Sequence, residues 1–274
     1  MPPADPIAET GIAAQVVAAG PVVTAAPVPV MAARASGTGS RADADAGQGI
    51  GFDARPGAES AAWPGAGPIA ETIAPAHGEG VPRHDGLLDR IAAWGPADTP
   101  AGRFRLVPAC VERDLALISR WMNDPVAAEF WELAGPQEVT GDHLRAQLAG
   151  DGHSVPCIGL LDGTPMSYWE IYRADLDPLA RHYPARPHDT GIHLLLGGAA
   201  DRGRGLGGLL LRAVADLVLA QRPSCARVIA EPDIRNTPSI AAFLTAGFRF
   251  SAEVDLTVKR AALMVRDRPL RHLL

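Results

Sequence analysis

The chain has 274 residues, of which 47% are hydrophobic and 5% aromatic, and it carries 25 Lys and Arg against 31 Asp and Glu. This length suffices for one or two domains. A net charge of −6 provides no basic field for a nucleic-acid backbone, so the composition argues against DNA or RNA binding.

The first 100 residues differ from the rest in composition, with 25 Ala, 14 Gly and 13 Pro. Such a segment has few large apolar side chains to offset the entropy cost of folding. We therefore predict a largely disordered tail at 1–100 and a folded domain at 101–274. The uncharged run at 12–33 is long enough for a membrane span. Three prolines interrupt it and no Lys or Arg precedes it, so we interpret it as neither signal peptide nor anchor.

The three cysteines, Cys110, Cys157 and Cys225, are far apart and form no C-x-x-C pair. This spacing argues against a zinc site or a redox dithiol, and we predict no metal. Without an export signal, we expect the protein in the reducing cytoplasm, where structural disulfides are rare.

Alternating apolar and polar residues predict a first strand at 102–108. A helix at 114–122 follows and is predicted to stop at Asn123-Asp124-Pro125, because proline disfavours a continued helix. A second helix is predicted at 141–148. The segments 155–161 and 165–172 predict a hairpin, since Asp162-Gly163 supplies the positive φ angles of a two-residue turn.

The remaining chain predicts a strand at 190–196, a helix at 205–219, a strand at 227–230 and a helix at 237–246 that ends at Gly247. A closing hairpin is predicted from 248–258 and 261–266. This order indicates an α+β fold with a mostly antiparallel sheet flanked by helices.

A glycine-rich loop, Arg202-Gly203-Arg204-Gly205-Leu206-Gly207-Gly208, lies between a predicted strand and a predicted helix. Converging backbone N–H groups and the positive helix N-terminus suit a pyrophosphate at this position. The loop is not a Walker A motif, since no Gly-Lys-Ser/Thr follows, and no alternating βαβ unit surrounds it. A tight turn that begins a helix is the alternative interpretation of the loop by itself.

In its context, Arg-x-x-Gly-x-Gly at 202–207 resembles the acyl-CoA pyrophosphate loop of the GNAT N-acetyltransferase superfamily. The resemblance covers about residues 102–268 and implies that the strand before the loop diverges from the next strand. The pantetheine arm of acyl-CoA would then lie in the gap. Backbone amides near Leu195 and Leu196 would bind that arm and polarise the thioester carbonyl.

Three polar signals flank the predicted gap: His193 inside an apolar run, Asp233 after the next strand, and Tyr168, Glu170 and Tyr172 on one face of a strand. Each has a structural alternative. The histidine alone is typical of a hydrogen-bonded core residue, Asp233 of a helix cap or turn, and the third group of an amphipathic edge.

Together with Trp121, Asn123 and Trp131, these motifs resemble the hydroxamate-siderophore N-acyltransferases, like those of the mycobactin and aerobactin pathways. The resemblance implies acylation of the side-chain amine of lysine, N6-hydroxylysine or a related diamine. The donor would be acyl-CoA or an acyl carrier protein. Asp233 would be the proton acceptor and His193 would contact the acceptor amine, although the reverse assignment stays open. Asn236 would lie beside the pantetheine arm. The implied acceptor-binding residues are His193, Trp121, Asn123, Trp131, Tyr168, Glu170 and Tyr172.

One position departs from the family pattern: Phe243 stands where many members have a tyrosine that protonates the leaving thiolate. Two rival functions fit parts of this pattern. An aminoglycoside 6′-N-acetyltransferase shares the tryptophan-rich segment, but we expect it to have a more acidic cleft for its polycationic substrate. A non-catalytic acyl-CoA-binding protein would retain the loop without turnover.

Overall fold

The computed structural model describes residues 88, 90–150, 152–270 and 272. The predicted tail up to residue 87 lies outside the described residues. The strands are β1 Ala97–Thr99, β2 Gly102–Pro108, β3 Ser154–Leu161, β4 Thr164–Arg173, β5 Thr190–Leu196, β6 Arg227–Ala230, β7 Arg249–Asp255 and β8 Arg260–Asp267. The helices are α1 Val111–Met122, α2 Pro125–Trp131, α3 Gln137–Leu148, α4 Leu206–Gln221 and α5 Thr237–Thr245.

All eight strands form one sheet in the order β1-β2-β3-β4-β5-β6-β8-β7. Neighbouring strands in this sheet are antiparallel, except that β5 and β6 are parallel. Asp162 and Gly163 have φ angles of 48° and 79°, as a type I′ hairpin turn between β3 and β4 requires. The α+β class with a mostly antiparallel sheet is therefore confirmed.

Apolar side chains bury both faces of this sheet. Trp169 and Ile171 of β4 belong to a large cluster with α4, which contributes Leu210 and Val214. Tyr168, on the opposite face of β4, belongs to a second cluster with α1 and α3. Because successive strand residues point to opposite faces, the helices lie on both sides of the sheet. No helix in the described part of the chain is both long and apolar enough to span a bilayer.

The described fold begins before Gly102, the residue at which the first strand was predicted to start. Ile91–Ala93 forms a short 3-10 helix, and β1 pairs with β2. Ile91 and Trp94 are 1% and 7% exposed and belong to the core cluster around α4. The fold therefore includes residues that the composition assigned to the tail.

The helix α2 was missed because Pro125 was interpreted as a stop signal. Pro125 instead occupies the first turn of α2, where a backbone N–H would have no partner within the helix, so its absence does not destabilise the helix. Asp124 caps this helix by accepting a hydrogen bond from the backbone N–H of Val126 at 3.0 Å. The chain thereby turns sharply between α1 and α2.

The parallel strands β5 and β6 pair over a very short stretch. Two residue pairs join them, Thr190 with Val228 and Gly191 with Ile229. Beyond Gly191, β5 continues to Leu196 while paired with β4 alone. The two strands therefore diverge, as the family resemblance implied, and a gap opens in the middle of the sheet.

Candidate active site

The register of β4 and β5 assembles the first half of the site. Tyr168, Glu170 and Tyr172 lie on one face of β4, and Glu170 pairs with His193 on β5. Gly191 pairs with Tyr172. A Cβ atom on Gly191 would lie 2.0–2.4 Å from carbons of the Tyr172 ring, so this glycine is what allows the ring to cover β5.

His193 lies between two carboxylates. Its Nδ1 is 3.0 Å from Oε2 of Glu170, and its Nε2 is 2.5 Å from Oε1 of Glu231. Glu231 immediately follows β6, so this contact spans the gap between β5 and β6. Burial disfavours the charged imidazolium, but the two carboxylates outweigh it and raise the pKa of His193 to about 10. Both ring nitrogens are therefore protonated near neutral pH.

Each carboxylate has further partners. Oε1 of Glu170 lies 2.6 Å from Nε2 of His143 on α3 and accepts a hydrogen bond from Tyr168 at 2.9 Å. Oε2 of Glu231 accepts one from Tyr172 at 2.6 Å. Burial raises the pKa of both glutamates, but the neighbouring donors and the His193 charge prevail. The pKa of Glu170 falls well below its usual range, and that of Glu231 falls to about 2.

A cavity of about 220 Å³ opens beside this cluster. Trp131 and Phe243 contribute apolar lining, and the Trp131 ring meets the His193 ring edge to face at 6.1 Å. The polar lining residues are His143, Glu170, His193, Glu231, Asp233 and Lys259. The cavity thus combines three carboxylates with an apolar wall, which suits a cationic head on an aliphatic chain.

Asp233 lines the same cavity but is paired in this structure. Arg235 binds both of its carboxylate oxygens, with Nη2 2.8 Å from Oδ2 and the backbone N–H 2.8 Å from Oδ1. These bonds lower the pKa of Asp233. The Arg235 side chain is 68% exposed, so this pair lies at the solvent side of the cavity.

The glycine loop has the backbone shape that an anion site needs. Gly203 and Gly205 have φ angles of 73° and 77°, and a Cβ on either would meet no other atom within 4 Å. Leu206 begins α4, so the first N–H groups of the helix, from Leu206, Gly207 and Gly208, have no carbonyl partner within it. This open cradle at a helix N-terminus fits a pyrophosphate.

Two loop residues have structural roles that the sequence did not reveal. The Arg202 guanidinium turns inward, donates to the Leu196 carbonyl at 3.1 Å and binds Oδ1 of Asp124 at 2.7 Å. Gly208 allows α4 to pack on α5, because a Cβ there would lie 3.0 Å from the Thr245 side chain. Arg204 is exposed beside the cradle and is the better placed of the two arginines for an anion.

The backbone of β5 divides its hydrogen-bonding groups between β4 and the gap. The N–H of Gly197 donates to Met166 at 2.9 Å, and Asp189 accepts from Ala174 at 2.9 Å, so the odd-numbered residues of β5 bond to β4. The Leu195 N–H is therefore directed at β4 and not at the gap. The N–H groups of Leu194 and Leu196 face the gap, while the Leu196 carbonyl accepts from Arg202; binding of a pantetheine arm at this edge stays a prediction.

Several predicted acceptor-binding residues do not line the cavity. Trp121 is 7% exposed in the α1 core and covers Gly197, where a Cβ would lie 2.1–2.4 Å from the indole. Asn123 ties α1 to Gly135 through hydrogen bonds of 3.0 and 3.1 Å. Tyr168 and Tyr172 lie behind Glu170 and Glu231 as their hydrogen-bond donors. Neither Trp121 nor Asn123 lines the cavity, and their contact with an acceptor stays a prediction.

Asn236 and Phe243 are two further positions that the family resemblance marks, and both lie in α5 or at its N-terminal end. The Asn236 side chain caps α5 by accepting from the Ser239 N–H at 3.1 Å, and its contact with a pantetheine arm stays a prediction. Phe243 is 4% exposed and lines the cavity. The position where many family members have a tyrosine therefore faces the site without a hydroxyl group.

Sequence reasoning missed Glu231, His143 and Lys259. Glu231 and Asp233 both follow the predicted strand at 227–230, so the position that pointed to Asp233 could also have pointed to Glu231. His143 reaches Glu170 from α3, a contact between residues 27 positions apart that no local pattern reveals. Across the described residues, no group of three His, Cys, Asp or Glu side chains has the arrangement of a metal site.

Comparisons with known proteins agree with this geometry. The model of the acetyltransferase (GNAT) domain matches residues 110–256. The chain is similar to lysine N-acyltransferase MbtK of Mycolicibacterium paratuberculosis, with 39% identity over 156 residues that cover 57% of this chain and 70% of the relative. It is also similar to N(6)-hydroxylysine O-acetyltransferase of Escherichia coli, with 34% identity over 191 residues, 70% of this chain and 56% of the relative.

Among solved structures, aminoglycoside acetyltransferase AAC(6')-Ib in complex with coenzyme A aligns with a TM-score of 0.52 and 25% identity, over 61% of this chain and 95% of that chain. That neighbour binds coenzyme A in the same fold, which agrees with the open glycine cradle and the gap beside β5. The chain therefore belongs to the GNAT acetyltransferase family and is an acyltransferase that uses acyl-CoA as its co-substrate.

Proposed function

We propose that this protein transfers the acyl group of acyl-CoA to the side-chain amine of lysine or N6-hydroxylysine, or of a related diamine, in hydroxamate siderophore biosynthesis. The observation that carries the proposal is the His193 imidazole held between Glu170 and Glu231 at the cavity wall, beside the gap between β5 and β6. The printed names of two similar proteins, a lysine N-acyltransferase and an N(6)-hydroxylysine O-acetyltransferase, support an acceptor of this class.

The charges of the cavity support an amine acceptor, and they fit an aminoglycoside as well as lysine, so the preference for lysine rests on the similar proteins. Glu170, Glu231 and Asp233 line it together, and carboxylates in a partly desolvated cavity attract an ammonium group. A protonated amine must lose a proton before or during its attack on a thioester, so a positioned carboxylate can also act as general base. Bound acyl-CoA supplies the activated carbonyl.

We assign proton acceptance to Asp233 and acceptor positioning to His193. Both nitrogens of His193 face carboxylates, and its pKa is raised to about 10. This imidazolium has no free lone pair for a proton, which favours Asp233 over the reverse assignment. The exposed Arg235 is the present partner of Asp233, and the ammonium group of the acceptor would replace it.

The proposed transfer is direct, without an acyl-enzyme. None of the three cysteines belongs to the cavity lining in the described residues, and burial raises the pKa of Cys157 and Cys225. The thiolate needed as nucleophile is therefore disfavoured at both buried positions. Alignment of the amine with the thioester carbonyl is sufficient for direct transfer.

The test is to measure thiol release with a panel of amines and acyl-CoAs. Lysine, N6-hydroxylysine and diamines should support turnover, whereas turnover confined to aminoglycosides would reject the siderophore proposal. Acyl-CoA binding without turnover of any amine would instead support the non-catalytic alternative. An acyl carrier protein as donor and a cytoplasmic location stay predictions of the sequence, and the same assay with a carrier-bound acyl group tests the first.

A further inference from the structure

We propose that Lys259 binds the carboxylate of an amino-acid acceptor and thereby makes the enzyme select lysine or N6-hydroxylysine over diamines of the same length. This inference rests on the proposed function and specifies which of its acceptor classes the site prefers.

Lys259 is a cation at the wall of the cavity. It is the one lysine in the 274 residues, and it lies in the turn between β7 and β8, where its carbonyl accepts from the Leu256 N–H at 2.9 Å. Its side chain lines the cavity and is 26% exposed. The Nζ atom lies 3.8 Å from Oε1 of Glu231, which is longer than a hydrogen bond. The ammonium group is thus held near the cluster and has donors free for a second anion.

Charges of both signs surround the cavity. The His193 cluster and Asp233 place three carboxylates along its wall, whereas Lys259 and Arg235 place cations beside it. Asp233 raises the pKa of Arg235 through hydrogen bonds, and the carboxylates of Glu129 in α2 and Glu132 at its C-terminal end raise it further. Charges of both signs therefore occur together at the solvent side of the site, and an amino acid carries both signs in its α-carboxylate and α-ammonium groups.

A diamine cannot use this pattern fully. Its second ammonium group would lie near Lys259, and a buried or half-buried like-charge contact disfavours binding. An amino acid places a carboxylate there and forms a charge-assisted hydrogen bond. Selection by Lys259 would thus combine attraction of one acceptor with repulsion of the other.

The experiment compares acceptors that differ only in the carboxylate. L-lysine, L-lysinamide and cadaverine, or the N6-hydroxylated forms of the first two, are assayed with wild type, Lys259→Met, Lys259→Arg and the control Arg260→Gln. Arg260 is 61% exposed and paired with Glu253 and Asp255, so its substitution removes an adjacent charge outside the cavity. We expect Lys259→Met to raise KM for lysine about tenfold or more. It should lower kcat/KM for lysinamide far less than for lysine, so that the two acceptors become equal, while Lys259→Arg retains the preference.

Two results would overturn the inference. A wild type that does not distinguish lysine from lysinamide has no carboxylate site. Equal losses for both acceptors in Lys259→Met would mean that Lys259 acts through Glu231 as a positioning residue. Either result leaves the proposed amine acylation intact, whereas an absence of turnover with every amine would refute the proposed function itself.

Discussion

The imidazole Nε2 of His193 lies 2.5 Å from the Oε1 of Glu231, across the gap where β5 and β6 part. This contact links the end of β6 to the middle of β5 at a place where no backbone pairing joins the two strands. The ion pair therefore connects the two halves of the sheet as well as forming the wall of the site.

The first prediction is that the stability contributed by His193 depends on pH. Its pKa is raised to about 10 from an ordinary value near 6.5, so the contribution is complete below about pH 6.5 and is lost as the pH rises through 10. The lowered pKa of Glu231, about 2, means that its contribution is present above pH 4.5 and is lost as the pH falls towards 2.

We therefore expect His193→Asn to lower the free energy of unfolding most at pH 5–6, by up to about 3 kcal/mol, and progressively less towards pH 10. Urea unfolding across this range measures the difference. The exposed His182→Asn variant is the control. A difference for His193→Asn that stays constant from pH 6 to 10 would contradict a charged imidazole.

The second prediction separates two neighbouring carboxylates. Asp233→Asn should lower kcat by about a hundredfold or more, because it removes the proposed proton acceptor, while the Kd of acyl-CoA stays within about twofold. Glu231→Gln should mainly change the pH dependence of kcat/KM, because His193 loses the carboxylate that most raises its pKa. Steady-state kinetics and calorimetry provide both readouts. If Glu231→Gln abolishes turnover and Asp233→Asn does not, the acceptor role belongs to Glu231.

The third prediction concerns the glycine cradle. Gly205→Ala forces an alanine into a left-handed conformation at φ 77°, at a cost of about 1 kcal/mol, and should weaken acyl-CoA binding while leaving KM for the amine unchanged. Gly95→Ala is a matched control, because Gly95 has φ 72° and equally open surroundings but lies outside the loop. Equal acyl-CoA affinity in the two variants would argue against a pyrophosphate at the cradle.

The fourth prediction concerns the start of the domain. Deletion of residues 1–86 should preserve stability and activity, because the described core contacts begin at Leu88. Deletion of residues 1–100 removes Ile91, Trp94 and β1, and should cost at least about 3 kcal/mol, as loss of a buried tryptophan does. Denaturant unfolding of the two truncated proteins, with Trp94→Ala beside them, tests the boundary. Equal stability of both deletions would restore the boundary at residue 100.

Most of the fold was predictable because local chemistry and the final structure agree. The Asp162-Gly163 turn fixed the β3–β4 hairpin, and the strand at 190–196 and the strand at 227–230 have the predicted bounds. The exceptions have a local cause. Pro125 is compatible with both a helix end and a helix start, and β1 is three residues long in an Ala/Pro-rich segment.

The site was predictable where alternation along a strand decides which face a side chain occupies. Glu170 and His193 follow from β4 and β5, and both line the cavity with Trp131 and Asp233. Alternation along a strand does not reveal that the Trp121 side chain of α1 covers the backbone at Gly197. The contacts of His143 with Glu170 and of Lys259 with Glu231 depend on how distant elements pack, and the sequence contains no local record of them.

The divergence of β5 from β6 gives the free protein an interior edge. The N–H groups of Leu194 and Leu196, which a neighbouring strand would otherwise bind, are directed into the gap, while the Leu196 carbonyl already accepts from Arg202. We expect the amides of a bound pantetheine arm to pair with this edge as a missing strand would. Hydrogen exchange of the Leu194 and Leu196 amides should then slow on acyl-CoA binding far more than exchange of the β5 amides that are bonded to β4.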